Sequence, residues 1–348
     1  MVVKKRMARQ NIVRISKKRP QKKIIQRAAK LIQNGELVAF PTETVYGLGA
    51  NVFDLEAIKK IFAAKVRPAD NPLIVHVARR RDVALLAQKI SPQAKKLMRI
   101  FWPGPLTLVL KKKKSVPYEV TCGLDTVAVR MPKHPVALAL IKAAKCPIAA
   151  PSANISGKPS STFARHVTDD FSLTIKMILD AGKTLIGLES TVVDATASKI
   201  TVLRPGGITI EQLTKALGYK PEIASLSAGK VRSPGMKYRH YAPKAPMVVV
   251  ENEIGQKMVS FLQKKIIFYQ KNGLRVGILT CREHAKKYSR AQCVIACGSL
   301  KKPETIAKNL YACLRRFDAK KVDIILSENF GEKGIGHTIM ERLRRATT

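Results

Sequence analysis

Short apolar runs rich in β-branched residues alternate with stretches of helical period along most of the chain, which is the pattern of an α/β protein. Two helix starts can be read from the residues themselves. Pro92 follows Ser91 at a first helical position, and Thr209 with Gln212 forms a capping-box pattern. The apolar runs predict strands at residues 36–40, 72–77, 106–110, 126–130, 147–150, 190–195 and 200–204.

The periodic pattern stops between residues 218 and 246, where Pro, Gly, Ser, Lys and Tyr accumulate as they do in linkers. Four apolar runs then alternate with helix-like stretches, which predicts a smaller Rossmann-like α/β domain. These runs are "MVVV", "RVGILT", "CVIACG" and "VDIIL". The predicted organisation is a basic tail (1–21), a main domain (22–217), a linker (218–246) and a C-terminal domain (247–348).

Charge narrows the choice of partners. The 348 residues carry 64 Lys and Arg against 24 Asp and Glu, a formal charge of +40. Such an excess favours nucleotides, RNA or acidic membranes as partners. The first 30 residues hold twelve basic and no acidic side chains, but lack the apolar segment of a signal peptide. No apolar run approaches the roughly 18 residues that a membrane span needs.

Several familiar kinds of site find no support in the sequence. The six cysteines are widely spaced except Cys293 and Cys297, whose separation does not fit a zinc knuckle. We therefore expect reduced thiols in a cytoplasmic protein. "AGKT" lacks the first glycine of a phosphate-binding P-loop, since Met177 occupies that position. H-E-x-x-H and G-x-S-x-G are absent, which leaves zinc peptidase and α/β-hydrolase chemistry unsupported.

Polar or small residues precede proline where several predicted strands begin or end. Four residues stand immediately before a proline: Arg67, Asn71, Ala150 and Arg204. Arg130 lies two residues before Pro132. A residue before proline is held in extended geometry, so its side chain is presented from a stiff backbone. Each arginine could bind phosphate with about 1.5–3 kcal/mol. The pattern favours an anion site over simple turns.

Two loops carry further candidate chemistry. "FPTETVYGLGANV" (40–52) runs from a strand into a turn whose N–H groups and hydroxyls suit a carboxylate, an amine or a hydroxyl. Its alternative is a tight turn with satisfied threonines. "APSANISGKPS" (150–160) places small polar residues after a strand, where a ligand could approach the backbone closely. Its alternative is a flexible loop.

Together these motifs resemble the Sua5/YrdC/YwlC family, the threonylcarbamoyl-AMP synthases of tRNA modification. The resemblance lies in "FPTETVYGLG", the K-x-R of Lys65 and Arg67, and the S-x-N of Ser152 and Asn154. "SPGMKYRHYAP" (233–243) and "GIGHTIMERLRRA" (334–346) resemble the Sua5 branch, which adds a C-terminal domain. The resemblance implies a YrdC-like twisted mixed sheet with helices. The basic N-terminus lies outside the family pattern.

The resemblance also implies an activity. Family members condense L-threonine, bicarbonate and ATP into threonylcarbamoyl-adenylate and pyrophosphate, a nucleotidyl transfer. The adenylate serves N6-threonylcarbamoylation of adenosine 37 in tRNAs that read ANN codons, through a downstream threonylcarbamoyl transferase machinery. Direct tRNA contact through the basic surface is a further expectation. Mg²⁺ should sit on the phosphates with few protein ligands, because no carboxylate cluster lies near the motifs.

Carried over position by position, the family pattern implies two groups of site residues, with Lys65 and Arg67 as the catalytic pair. The threonine group is Thr44, His76, Arg130, Ala150 and Ser190. The ATP group is Lys65, Arg67, Asn71, Thr126, Ser152, Asn154, Ser160, Arg204 and Tyr241. Tyr241 would close over the nucleotide as part of a lid.

Two rival functions share parts of this pattern. A nucleic-acid-binding module without catalysis would account for the charge, but does not require polar residues at strand junctions. A carbamoyl-transfer domain of the hydrogenase-maturation type shares the catalytic half, but would carry acylphosphatase and zinc-finger segments that this sequence lacks.

Overall fold

The computed structural model describes residues 11–171, 174–224, 240–251 and 255–347. The chain divides into two units. The first takes the described residues of Met1–Ser156, Ser160–Leu185 and Glu189–Lys237, and the second those of Gly157–Pro159, Ile186–Leu188 and Tyr238–Thr348. Residues 225–239 of the predicted linker and residues 1–10 of the predicted tail lie outside the described ranges.

The first unit is built around a mixed sheet. Its strands in the described residues are β1 Ile12–Arg14, β2 Val38–Pro41, β3 Tyr46–Asn51, β4 Ile74–His76, β5 Leu106–Lys111, β6 Thr126–Arg130, β7 Ile148–Ala149, β8 Met177–Asp180, β9 Thr191–Asp194, β10 Thr201–Arg204 and β11 Glu222–Ile223. They lie in the order β1-β8-β2-β3-β7-β4-β6-β5-β9-β10-β11. Parallel pairs such as β4 with β6 adjoin antiparallel pairs such as β5 with β6, which confirms the predicted mixed sheet.

Three of the described helices of the first unit begin with a side-chain cap. The helices of this unit are α1 Lys22–Gln33, α2 Leu55–Lys65, α3 Pro92–Phe101, α4 Tyr118–Thr121, α5 Pro135–Ala144, α6 Ala164–Phe171 and α7 Ile210–Leu217. The Ser91 side chain caps α3 ahead of Pro92, and Thr209 with Gln212 forms a complete capping box on α7. Both predicted helix starts are confirmed.

Apolar side chains on both faces of the sheet are buried. Along β2 the side chains alternate between two cores: Ala39 belongs to the core that includes α2 and α3, and Val38 and Phe40 to the core of α1 and α5. This alternation is the period of two expected for a strand between two helical layers. The sheet is therefore covered on both sides, and its polar chemistry lies at strand ends and in loops.

The predicted N-terminal tail is wrong for the residues that the structure describes. Ile12–Arg14 form β1, which pairs in parallel with β8 from Ile12↔Ile178 to Arg14↔Asp180. Ile12 and Val13 also pack against the two cores. Basic residues surround only a short apolar stretch here, so composition concealed a strand that a long-range partner stabilises.

The predicted turn after residue 41 is shorter than we expected, because β3 begins at Tyr46 and pairs antiparallel with β2. Its glycines conceal the strand pattern and have a packing reason. A Cβ on Gly49 would lie 2.7 Å from Phe40 Cε1 and 2.8 Å from Ile148 Cγ2. Only glycine lets β3 lie this close to its neighbours.

The second unit holds the parallel sheet that the sequence predicted. Its described strands are β12 Met247–Val249, β13 Val276–Cys281, β14 Cys293–Gly298 and β15 Ile324–Ser327, and its helices are α8 Gly255–Lys271, α9 Pro303–Lys320 and α10 Ile335–Thr347. The strands lie in the order β12-β15-β13-β14, and every pair is parallel. Across the described ranges, no helix is both long enough and apolar enough to cross a bilayer.

Candidate active site

Strand register gathers the polar residues of the first unit. In the parallel pair β4 and β6, His76 lies beside Arg130, and in the antiparallel pair β5 and β6, Arg130 lies beside Thr107. The next pair places Leu106 of β5 beside Thr191 of β9, directly after Ser190. The residues form one row across four neighbouring strands, which explains how distant sequence motifs meet.

Arg130 is the buried charge at the centre of this row, with 4% of its surface exposed. Its Nη1 donates to Thr44 Oγ1 at 3.0 Å and its Nε to the Gly104 carbonyl at 3.3 Å. Its Nη2 lies 2.7 Å from Glu43 Oε1, an ion-pair distance without the alignment of a hydrogen bond. Arg130 Nη2 and both Glu43 oxygens thus retain hydrogen-bonding capacity, which a ligand with a carboxylate and a donor could use.

His76 is a second buried group with open capacity. Its ring meets the Phe40 ring edge-on at a centroid distance of 6.2 Å, and its Nδ1 has no hydrogen-bond partner in the described part of the chain. Burial, and then the positive charge of Arg130, lower the His76 pKa from 6.5 to about 3. The imidazole is therefore neutral at physiological pH and can exchange a hydrogen bond with a ligand without adding charge.

Ser190 connects the two predicted groups of site residues. Its hydroxyl lies 2.8 Å from Thr107 Oγ1, and its carbonyl accepts a hydrogen bond of 2.8 Å from Arg204 Nη2. The backbone there is tightly enclosed, because a Cβ on Gly206 would lie 2.3 Å from the Ser190 carbonyl carbon. Arg204 is thus fixed beside Ser190 rather than extended into solvent, and only 4% of it is exposed.

Lys65 is buried and binds the S-x-N loop. Its Nζ donates to the Ser152 carbonyl at 2.5 Å and to the Asn154 carbonyl. Burial, and then the nearby Arg67, lower its pKa well below the usual lysine value. The K-x-R and S-x-N motifs, which are far apart in sequence, therefore meet through this ammonium group.

Arg67 binds the backbone that follows it. Its Nε and Nη2 donate to the Asn71 carbonyl and Oδ1 at 2.9 and 2.7 Å, and Nη2 also donates to the Pro72 carbonyl at 2.8 Å. Just before it, Val66 caps α2 with φ 49°, a left-handed conformation that costs a β-branched residue free energy. These hydrogen bonds fix the Arg67 guanidinium against Asn71 and the backbone of its own loop.

The remaining nucleotide-side residues lie in three places. Ser152 forms an isolated bridge with Gly47 of β3, and the buried Ser160 donates its hydroxyl to Glu189 Oε1 at 2.6 Å. Thr126 is half-buried at the start of β6, at the end opposite Arg130.

The Ala150 N–H donates to the Ile74 carbonyl at 2.9 Å, so the backbone beside the threonine group is fixed by β4.

Tyr241 belongs to the second unit. It has φ 65°, is 5% exposed and stacks on Tyr311 of α9 at a centroid distance of 5.2 Å. The Arg342 guanidinium carbon lies 5.3 Å from the Tyr241 ring centroid, on α10. The lid role of Tyr241 stays a prediction.

Three residues that were not predicted from the sequence as substrate-site residues contact members of the site. Glu43 approaches Arg130, Thr107 holds the Ser190 hydroxyl, and Glu189 accepts from Ser160. Glu43 could have been identified from the sequence, since it stands inside "FPTETVYGLG". The only sequence feature of Thr107 is its place in the apolar run "LTLVL", and no sequence feature marks Glu189.

A magnesium ion held by protein ligands does not fit this row. Mg²⁺ prefers several oxygen ligands, and of the two carboxylates here Glu43 has a guanidinium 2.7 Å away, which opposes a second cation. Glu189 already accepts from Ser160.

Comparisons with known proteins agree with this architecture. The Sua5/YciO/YrdC family described as "Telomere recombination" matches residues 30–206, and "Threonylcarbamoyl-AMP synthase, C-terminal domain" matches residues 208–348. The threonylcarbamoyl-AMP synthase of Pyrococcus abyssi is 48% identical over 326 residues, covering 93% of this chain and 94% of the relative. That of Bacillus subtilis is 49% identical over 328 residues, covering 92% of each.

The likeness extends to the three-dimensional fold. The crystal structure of P. abyssi Sua5 complexed with L-threonine superposes with a TM-score of 0.91 at 47% identity, covering 97% of each chain. Both domains of the family are thus matched along this chain, and the resemblance in the motifs is confirmed. The chain belongs to the Sua5 branch of the Sua5/YrdC family, the threonylcarbamoyl-AMP synthases.

Proposed function

We propose that this protein condenses L-threonine, bicarbonate and ATP into threonylcarbamoyl-AMP, pyrophosphate and water, as a nucleotidyltransferase. The observation that carries the proposal is the Arg130 guanidinium, buried beside Thr44 and His76 with its Nη2 lacking an aligned hydrogen bond. Glu43 balances the charge of Arg130, and the open Nη2 can still donate a hydrogen bond to a ligand carboxylate. An amino acid with a carboxylate and a side-chain hydroxyl matches both this donor and the neighbouring polar groups.

On the threonine side, Arg130 would bind the substrate carboxylate through its guanidinium. Thr44 and Ser190 supply hydroxyls, His76 supplies a neutral ring nitrogen, and the Ala150 backbone closes the edge. A neutral His76 can accept a hydrogen bond from the substrate amine at a ring nitrogen, which an imidazolium could not. The group would thus bind the carboxylate and the amine at separate places.

The nucleotidyl step then needs alignment more than it needs a nucleophilic side chain. The carbamate oxygen attacks the α-phosphorus, the bond to the bridging oxygen of the β-phosphate breaks, and pyrophosphate leaves. Positive charge stabilises both the pentacovalent transition state and the departing oxygens. Arg67 and Arg204 would supply it, Lys65 would hold the S-x-N loop in place, and Mg²⁺ when bound would neutralise the phosphates.

The other nucleotide-side residues would position ATP rather than react with it. They are Asn71, Thr126, Ser152, Asn154, Ser160 and Tyr241. The product, a mixed anhydride of a carbamic acid and AMP, requires a transferase that carries the threonylcarbamoyl group to tRNA adenosine 37. We place this reaction in the cytoplasm. The net charge of +40 would favour direct contact with tRNA.

Incubation of the purified protein with ATP, threonine, Mg²⁺ and labelled bicarbonate tests the proposal. We expect pyrophosphate release that depends on threonine, and label in an adenylate. No threonine-dependent product would overturn it. Arg67→Ala should abolish turnover while the melting temperature stays near that of wild type, and near-normal activity would refute the phosphate role of Arg67. Arg80→Ala, an exposed arginine on the same unit, is the matched control.

A further inference from the structure

A cysteine, a histidine and a glutamate meet at the carboxyl ends of two adjacent strands in the second unit. Cys281 is the last residue of β13, Glu328 follows β15 directly, and β13 pairs in parallel with β15. His284 lies three residues after Cys281, in the connection that leads away from β13. In open parallel sheets, ligands bind outside these strand ends. Nothing in the proposed synthase reaction uses this location.

The three side chains converge closely. One ligand atom from each of Cys281, His284 and Glu328 lies within 4.8 Å of the other two, the one such grouping of His, Cys, Asp and Glu found across the described ranges. Cys281 and Glu328 are fully buried, and the His284 side chain is 15% exposed. The grouping is therefore enclosed on the protein side and reachable on the His284 side.

The surrounding contacts fix the ligand atoms. Glu328 Oε1 accepts from the Tyr288 hydroxyl at 2.7 Å and lies 2.9 Å from His284 Nδ1, while Oε2 accepts from the Cys281 N–H at 3.0 Å. Such partners orient a ligating carboxylate and are as much a part of metal sites as the ligands themselves. The carboxylate could therefore turn one oxygen to a cation while the other keeps its backbone donor.

We propose that Cys281, His284 and Glu328 bind a divalent transition-metal ion of the zinc class. A sulfur, an imidazole nitrogen and one carboxylate oxygen form a donor set that Zn²⁺ accepts and that Mg²⁺ and Ca²⁺ do not favour. Donors bound tetrahedrally at about 2.0–2.3 Å lie roughly 3.5 Å apart, so the widest edge must contract by only about 1 Å.

Charge balance also fits this ion. On binding, the thiol proton leaves to solvent, and the thiolate, the carboxylate and the neutral imidazole surround a dication with zero net charge. A neutral assembly is the form in which buried charges are least costly. Three protein ligands leave the fourth tetrahedral position for water on the exposed side of His284.

Cobalt titration of the full-length chain, freed of metal with a chelator, tests the proposal. We expect one equivalent of Co²⁺ to produce the near-ultraviolet band of a cobalt–thiolate bond and the visible bands of tetrahedral coordination. Zinc should then displace cobalt and raise the melting temperature. A chain that shows no stoichiometric thiolate band would overturn the proposal.

Variants assign the band to these residues. Cys281→Ser should abolish the thiolate band and the zinc-dependent rise in melting temperature, and His284→Asn should weaken cobalt binding at least tenfold. Tyr288→Phe, which removes only a hydrogen bond to Glu328, should weaken it by about tenfold. Cys297→Ser is the matched control, a buried cysteine of the same sheet outside the grouping, and it should keep the band. A band that survives both Cys281→Ser and His284→Asn would refute the site, and His284→Asn suffices if Cys281→Ser fails to fold.

Discussion

Two buried carboxylates, one in each unit, are held in opposite ways. Glu328 of the second unit has close partners for both oxygens: Tyr288 and His284 for one and the Cys281 N–H for the other. Glu43 of the first unit is equally buried, yet neither of its oxygens has an aligned hydrogen-bond donor among the described residues. A fold that leaves buried polar capacity unused normally loses stability. The contrast therefore marks the row around Glu43 as a place shaped for a substrate, whereas neighbouring groups already orient the Glu328 carboxylate.

The largest expected effect follows from replacing the guanidinium at the centre of the first row. Arg130→Lys keeps the charge but loses the two parallel N–H donors of the guanidinium. It should lower kcat/KM for threonine roughly 30- to 1000-fold, equivalent to about 2–4 kcal/mol. Steady-state kinetics with varied threonine measures it. Arg80→Lys, on the surface of the same unit, should leave the constant unchanged, and an equal effect in both variants would contradict the assignment.

The buried His76 of the first unit should make stability depend on pH. The His76 pKa is lowered to about 3, so below the unfolded value of about 6.5 the unfolded chain binds a proton that the folded chain does not. The contribution of His76 to the free energy of unfolding is fully present above about pH 6.5 and is lost as the pH falls toward 3. At pH 4.5 the loss should be about 2–3 kcal/mol.

Chemical denaturation of wild type and His76→Gln from about pH 7 to about pH 4.5 measures that loss. The variant should lose less stability than wild type over this range, provided both unfold in two states. His337→Gln, a partly exposed position of the second unit, serves as the control and should follow wild type. Parallel curves for wild type and His76→Gln would show that His76 is not held neutral.

Glu328→Gln tests the hydrogen bonds that orient the Glu328 carboxylate. The amide oxygen could keep the Cys281 N–H, but the amide nitrogen would then require the Tyr288 hydroxyl to turn and accept, and the bonds to a charged acceptor would be lost. We expect a loss of about 1–3 kcal/mol in the free energy of unfolding. Threonine KM should stay constant, since the substitution is in the other unit. Thermal melts and kinetics on the same preparation separate the two effects, and a changed KM with an unchanged melting temperature would reverse the comparison.

Glu43→Gln should have the smallest effect and the less expected sign. With Arg130 binding the substrate carboxylate as proposed, the Glu43 carboxylate would compete with it for Arg130 Nη2 and repel it. Its removal should lower threonine KM by a factor of about five, equivalent to about 1 kcal/mol. Asp54→Asn, an acidic residue at the start of α2, is the control. A raised KM would indicate that Glu43 positions Arg130 instead of competing with the substrate.

Much of this arrangement could be predicted because it is local. Strand patterns of β-branched residues, the capping box at Thr209 and the paired motifs each act through neighbours in sequence. The prediction of the parallel sheet in the second unit was accurate for the same reason, since its strands are continuous apolar runs. The motifs carry the resemblance to the family, and the resemblance implies the mixed sheet; both are confirmed.

The contacts that define the site could not be predicted, because they depend on pairing between distant segments. Arg130 meets Thr44 across 86 positions, and Lys65 meets Asn154 across 89. Strand β1 was missed because its stability comes from β8, and β3 because its glycines have no side chains to form a pattern. The residue types indicated an anion site, but only the strand register shows which of these residues share a row.

The position of β1 matters for anyone who shortens this chain. β1 is an outermost strand of the sheet and covers β8 through parallel pairing from Ile12 to Arg14. A truncated protein that begins at Lys22 would keep every residue of the substrate site and still expose the unpaired N–H and carbonyl groups of β8. Exposed strand edges recruit strands from other molecules. Such a protein should aggregate during expression, so removal of the basic N-terminus for RNA-binding studies should stop before Asn11, whose side chain also donates to the Ile175 carbonyl at 2.8 Å.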